Sequence, residues 1–154
     1  MLVYRFSTTC PNEFKRKVRK IIDHPSGWSK RGHRIVESTS NNTHVVIALR
    51  SAEYMHKRYK NYPHLKGLSV TDSRKMPIRV DINMANWNNP PSAFKCKGCT
   101  RKNEYRSYIV THEIGHALGY GHQKPKKDPR KKCPIMHQQT KYTMPYCQGN
   151  GTVV

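Results

Sequence analysis

The segment His112-Glu113-Ile114-Gly115-His116-Ala117-Leu118-Gly119-Tyr120-Gly121-His122 constrains this chain more than any other. On an α-helix, residues four apart are offset by about 40° in angle and about 6 Å along the axis. His112 and His116 would then aim their imidazoles at one point, and Glu113 borders the same face. If the helix continued, His122 would lie about 9 Å beyond His116 and off that face. Gly119 removes the conflict, because glycine accepts the left-handed conformation that ends a helix and turns the chain back. The segment therefore requires a helix that stops at Gly119 and a turn that returns a third imidazole. Three neutral nitrogens on a zinc ion leave a fourth position open for water, and a carboxylate stands beside it. The expectation is one Zn2+ on His112, His116 and His122, in a catalytic rather than a structural site, with Glu113 as general base and acid.

The helix itself is expected to run from Asn103 to Leu118. Val110, Ile114, Ala117 and Leu118 share a stripe suited to packing on a sheet. His112, Glu113 and His116 fall on another sector, expected to face away from the sheet as the floor of a cleft. Upstream, Tyr4 and Phe6 mark a strand, and Phe14, Val18, Ile21 and Ile22 recur at helical spacing until Pro25-Ser26-Gly27 stops them. Residues 34–38 and 44–50 read as two strands around an Asn41-Asn42 turn. Ser51 caps a short helix to about Tyr59, residues 68–71 and 78–83 read as strands, and 88–91 as a turn. After Gly119 no regular element is expected. The order predicts an α+β fold, a mixed sheet packed on the histidine helix with an irregular tail, in one domain spanning 1–154.

Composition bears on partners and compartment. Lys and Arg number 29 against nine Asp and Glu, a net charge of +20. Such a charge favours a polyanionic neighbour but says nothing about chemistry. Apolar residues make up 35% of the chain, so the core is expected to be small. The longest apolar run is Val45 to Leu49, which excludes a transmembrane helix, and the first residues show no secretory signal. Five cysteines allow at most two bridges. Cys96 and Cys99 have the spacing of a redox pair or of half a zinc site, and Cys133 with Cys147 suits a disulfide across a loop. A reducing compartment would leave these thiols free. Secretion, packaging in a virion and a nuclear setting all stay open.

The long histidine motif resembles the zinc-binding signature of the metzincin metallopeptidases. Cys133-Pro134-Ile135-Met136-His137 is similar to the second marker of those enzymes, a tight turn with a methionine beneath the metal. A closer resemblance covers most of the chain, to a metzincin-like family best known from actinobacterial surface proteins. It rests on residues 23–28, Ile82-Asn83 with Trp87, residues 105–111, and residues 134–140 flanked by Cys133 and Cys147. The resemblance implies a minimal metzincin-like zincin, with Met136 as an apolar floor under the zinc. Some metzincins carry a tyrosine two residues after that methionine. Here the position is Gln138, and Tyr142 or Tyr146 are the alternatives for contacting an oxyanion or substrate. The usual C-terminal helix is expected to be absent, with a disulfide to Cys147 pinning the tail instead.

Together these readings predict a zinc-dependent endopeptidase acting on a protein or peptide. The substrate would lie extended along an edge strand, either 68–71 or 78–83. The alternative is a basic protein that binds nucleic acid or another polyanion, with a structural or inactive zinc site. Two basic runs serve either reading: residues 15–20 on the first helix and residues 124–132 between His122 and Met136. The second run also fits a nuclear-localisation patch or electrostatic steering of acidic substrates.

Overall fold

The computed structural model describes residues 1–153. Strand β1 (Leu2–Phe6) leads into helix α1 (Asn12–Asp23) and a 3-10 turn at Trp28–Arg31. Strands β2 (Ile35–Glu37) and β3 (Val45–Arg50) follow, then helix α2 (Ala52–Arg58) and a second 3-10 turn at Pro63–Leu65. Strands β4 (Val70–Asp72) and β5 (Ile78–Asn83) precede helices α3 (Met84–Asn88) and α4 (Arg101–Ala117). Beyond α4 the described residues form turns and isolated bridges.

The strands form one sheet in the order β2-β1-β3-β5-β4. Neighbours run parallel, except that β4 is antiparallel to β5. The fold is α+β with a mixed sheet, as the sequence predicts. Alternation along the strands sends Tyr4, Val45, Ile47, Val80 and Ile82 to one face, where they join Phe14 and Val18 of α1 and Ile109, Val110 and Ile114 of α4 in the main core. The other face is covered only in part, by Met55 and Tyr59 packing with Val70.

Local chemistry explains the element boundaries. Ser51 Oγ accepts from the Tyr54 N–H at 3.1 Å and so caps α2. Asn83 does the same for α3, accepting from Ala85 N–H at 3.0 Å. That helix has too few turns to show a period, so pattern reading misses it. On α1 the apolar stripe is buried, while Arg19 donates twice to Glu37, at 2.7 and 2.8 Å.

Three expectations need correction. Residues 34–38 and 44–50 do not form neighbouring strands around a turn, because β1 lies between β2 and β3. Tyr4 pairs with Glu37 on one side and Val45 on the other, so the loop 38–44 steps across β1 at one level. Second, residues 78–83 are not an edge: β5 is paired on both sides, and the edges are β4 beside it and β2 at the far end. Third, one member of the histidine sector of α4 does not face away from the sheet: Glu113 reaches β4 through Thr71, whereas His112 and His116 meet the Ile135 and Tyr120 carbonyls of the tail.

Candidate metal centre

Helix α4 ends as the glycine demanded. Gly119 sits at φ +100°. Its N–H donates to the His116 carbonyl, and the Tyr120 N–H donates to the Gly115 carbonyl, each at 2.9 Å. These are the paired bonds of a left-handed helix terminus, and they satisfy carbonyls the helix leaves open. The chain then doubles back and brings His122 beside His116, with their Nε2 atoms 3.1 Å apart. One ring nitrogen each from His112, His116 and His122 all lie within 4.8 Å of one another.

Hydrogen bonds on the far side of each ring set its orientation. His112 Nδ1 donates to the Ile135 carbonyl at 2.8 Å, and His116 Nδ1 donates to the Tyr120 carbonyl at 2.9 Å. A carbonyl only accepts, so each Nδ1 carries the proton and each Nε2 keeps its lone pair. His112 is fully buried, and its Nε2 has no hydrogen-bond partner among the described residues. Burial pushes the His112 pKa down to about 3 and lowers those of His116 and His122, with a smaller contribution to His122 from the nearby Lys141 charge. All three rings are therefore neutral at pH 7, the form that ligates a metal.

A tetrahedral ion with nitrogen ligands at about 2.0–2.1 Å would separate those nitrogens by about 3.3 Å. The 3.1 Å contact between His116 and His122 is close to that value. The bare Nε2 of His112 is the donor such an ion would satisfy. The donor set fits a metal ion with three nitrogen ligands.

Glu113 lies next to this cluster and is 4% exposed. Burial pushes its carboxyl pKa up to about 8, opposed by the hydrogen bond from Thr71. Thr71 Oγ1 contacts Glu113 Oε2 at 2.5 Å and the Glu113 carbonyl at 2.9 Å. A dication beside the carboxyl would favour its ionised form. Thr71 lies in one of the two stretches expected as an edge, but nothing in its sequence context marks it as a partner of Glu113.

Met136 packs against Gly115 of α4. A Cβ on Gly115 would lie 2.5 Å from Met136 Sδ and 2.6 Å from Trp28 Cζ2, so only glycine admits both neighbours. Trp28 donates from Nε1 to the Thr111 carbonyl at 2.7 Å and stacks on Tyr120 at 4.7 Å. The turn bearing Met136 also fixes ligands. Ile135 holds His112, and the Met136 carbonyl accepts from Gln123 N–H at 2.9 Å, next to His122.

The remaining candidates divide. The Gln138 side-chain oxygen takes a 3.4 Å hydrogen bond from the buried Tyr108 hydroxyl, which leaves its amide N–H groups free of that contact. Tyr142 packs edge-on to His137 and Tyr146, while Lys127 lies over the Tyr146 ring. Among the described residues, no ring contact joins either tyrosine to the three histidines. Cys133–Cys147 and Cys96–Cys99 are both disulfides, and Cys10 is a buried free thiol. Neither pair is then available as thiolate ligands, although Cys133, His137 and Cys147 also lie close enough to hold an ion if reduced.

Residues 7–146 match the family described as "Protein of unknown function (DUF3152)", and the chain belongs to that family. No curated protein matches it. Among the described residues, no helix is long and apolar enough to cross a membrane.

Proposed function

We propose that this protein is a zinc-dependent metalloendopeptidase of metzincin-like fold. One observation carries the reading: the buried Nε2 of His112, bare of any partner among the described residues, converges with ring nitrogens of His116 and His122 beside a buried carboxyl. His112, His116 and His122 would hold the ion. Bound zinc supplies Lewis acidity, which acidifies water and polarises a peptide carbonyl.

The chain's own groups do the rest. Glu113 takes the proton from the attacking water and returns it to the leaving amine. Thr71 holds the Glu113 carboxyl in place. The Ile135 and Tyr120 carbonyls fix the ligand tautomers. The Gln138 amide is the side chain assigned to the developing oxyanion. Strand β4 leaves one edge unpaired, and an extended peptide would add to it beside Thr71 and Glu113.

The test is hydrolysis of an unfolded protein and of a peptide library by the zinc-loaded chain. Activity should vanish with a chelator, return with zinc, and fall by about 10²–10⁴-fold in Glu113→Gln at unchanged zinc content. Full activity in Glu113→Gln would sink the mechanism.

A further inference from the structure

The face of the sheet opposite α4 carries a concavity of about 970 Å³, lined by six cations: Arg5, Arg50, Arg58, Arg74, Lys75 and Arg79. That volume lies at the upper end of small-ligand sites. The strand register explains why these cations meet. Arg5 pairs with Val46, Val46 with Arg79, and Arg79 with Asp72, so these four residues form one row across β1, β3, β5 and β4. Arg50 lies on the same face of β3, an even number of residues after Val46. Arg58 comes from the end of α2, and Arg74 and Lys75 from the β4–β5 connection.

Two carboxylates hold most of these groups in position. Asp72 binds Arg74 at 2.7 Å and Arg58 at 3.2 Å. Asp81, 1% exposed, lies 3.4 Å from Arg50, 3.7 Å from Arg58 and 3.8 Å from Arg79. Positive charge remains in excess, with four of the six cations sharing two carboxylates. Among the described residues Arg5 and Lys75 form no ion pair, and the buried Arg5 Nε has no hydrogen-bond partner. An oxyanion entering from solvent would meet, in Arg5 and Lys75, two cations whose charge none of these carboxylates shares.

We propose that this concavity binds a compact multi-phosphate anion. Guanidinium forks match phosphate oxygens in bidentate geometry, and here they are held in place before any ligand arrives. The uncharged lining includes Val46, Met76 and Pro77 but no aromatic ring on which a base could stack. The nearby Tyr54 ring is covered by Arg50 at 4.5 Å, and its hydroxyl accepts from Arg79 at 2.7 Å. These features favour a compact anion over a single-stranded nucleic acid. The site lies across the sheet from the histidine cluster, since Thr71 meets Glu113 while the next residue, Asp72, faces the arginines. It stands whether or not the chain is a peptidase.

The test is calorimetric titration of tripolyphosphate into the full chain at physiological ionic strength. One ion per chain should bind. The Arg5→Met, Lys75→Glu double variant should weaken binding at least about tenfold, the loss of two charge-assisted contacts. Its melting temperature and zinc content should not change. Lys127→Glu, in the basic loop near the histidine cluster, should leave binding unaltered. Dicarbonyl footprinting of the wild-type chain gives a readout that needs no variant: tripolyphosphate should protect Arg5 and Arg79 but not Arg16 or Arg130. Absent binding, equal weakening in Lys127→Glu, or protection spread evenly over the arginines would overturn the proposal. Tighter binding of single-stranded DNA with the same variant dependence would overturn it in favour of a nucleic-acid backbone.

Discussion

Glu113 and Asp72 are two carboxyl groups on opposite sides of strand β4, and they are held in opposite states. Among the described residues Glu113 pairs with no cation; burial pushes its pKa up to about 8, opposed by hydrogen bonds from the side chain and backbone of Thr71. Asp72 is also buried, yet hydrogen bonds from Arg74 hold it far below the usual carboxylate range, with further help from Arg58. The two sides of one short strand thus provide a dry carboxyl suited to proton transfer and a fixed anion that organises arginines. Net charge is blind to this difference. In a chain of charge +20, the proposed catalytic carboxyl is, of these two, the one kept away from the cations.

The comparison can be broken or sharpened in order of expected effect. Glu113→Gln should lower peptide hydrolysis by about 10²–10⁴-fold, the usual worth of a general acid–base group, with zinc content unchanged. Thr71→Val removes the hydroxyl that positions Glu113 and should cost about 10–100-fold in kcat, with little change in KM or in melting temperature. A loss confined to KM would instead place Thr71 in substrate binding. Gly115→Ala forces a methyl into Met136 and Trp28 and should destabilise the fold by about 1–3 kcal/mol, read by urea denaturation.

On the other side of β4 the expected effect concerns pH. The Asp72 pKa is depressed on folding, so its stabilisation is fully present above the unfolded value of about 3.9. It is lost as pH falls through the lower folded value. Melting temperatures taken from pH 7 down to pH ~2 should therefore drop less steeply for Asp72→Asn than for wild type over the acid range. Parallel curves would remove Asp72 from the account. The smallest effect is assigned to Tyr142→Phe and Tyr146→Phe. Among the described residues neither ring meets the three histidines, and steady-state rates should stay near wild type.

The histidine helix was legible because its constraints are local. Spacing alone places His112 and His116 together, and one glycine is enough to bring back His122. Met136 was singled out through the resemblance, and the glycine it packs against lies inside the motif itself. The strand positions were close to those observed, but the pairing of β2 and β3 on either side of β1 was not, because a strand's pattern does not name its neighbour. Thr71, Trp28 and the Ile135 carbonyl act at the site through long-range contacts that leave no periodic trace. The arginine concavity escaped for a related reason. Its cations come mostly from separate elements and meet only through register, whereas the sequence draws the eye to the runs at 15–20 and 124–132.

The central claim is that the three histidines form the metal centre, and zinc K-edge X-ray absorption of the zinc-loaded full chain tests it most directly. Nitrogen and oxygen scatterers are expected at about 2.0–2.1 Å, with imidazole multiple scattering from three rings and no sulfur. Sulfur scatterers at about 2.3 Å would move the metal to the cysteines and contradict it.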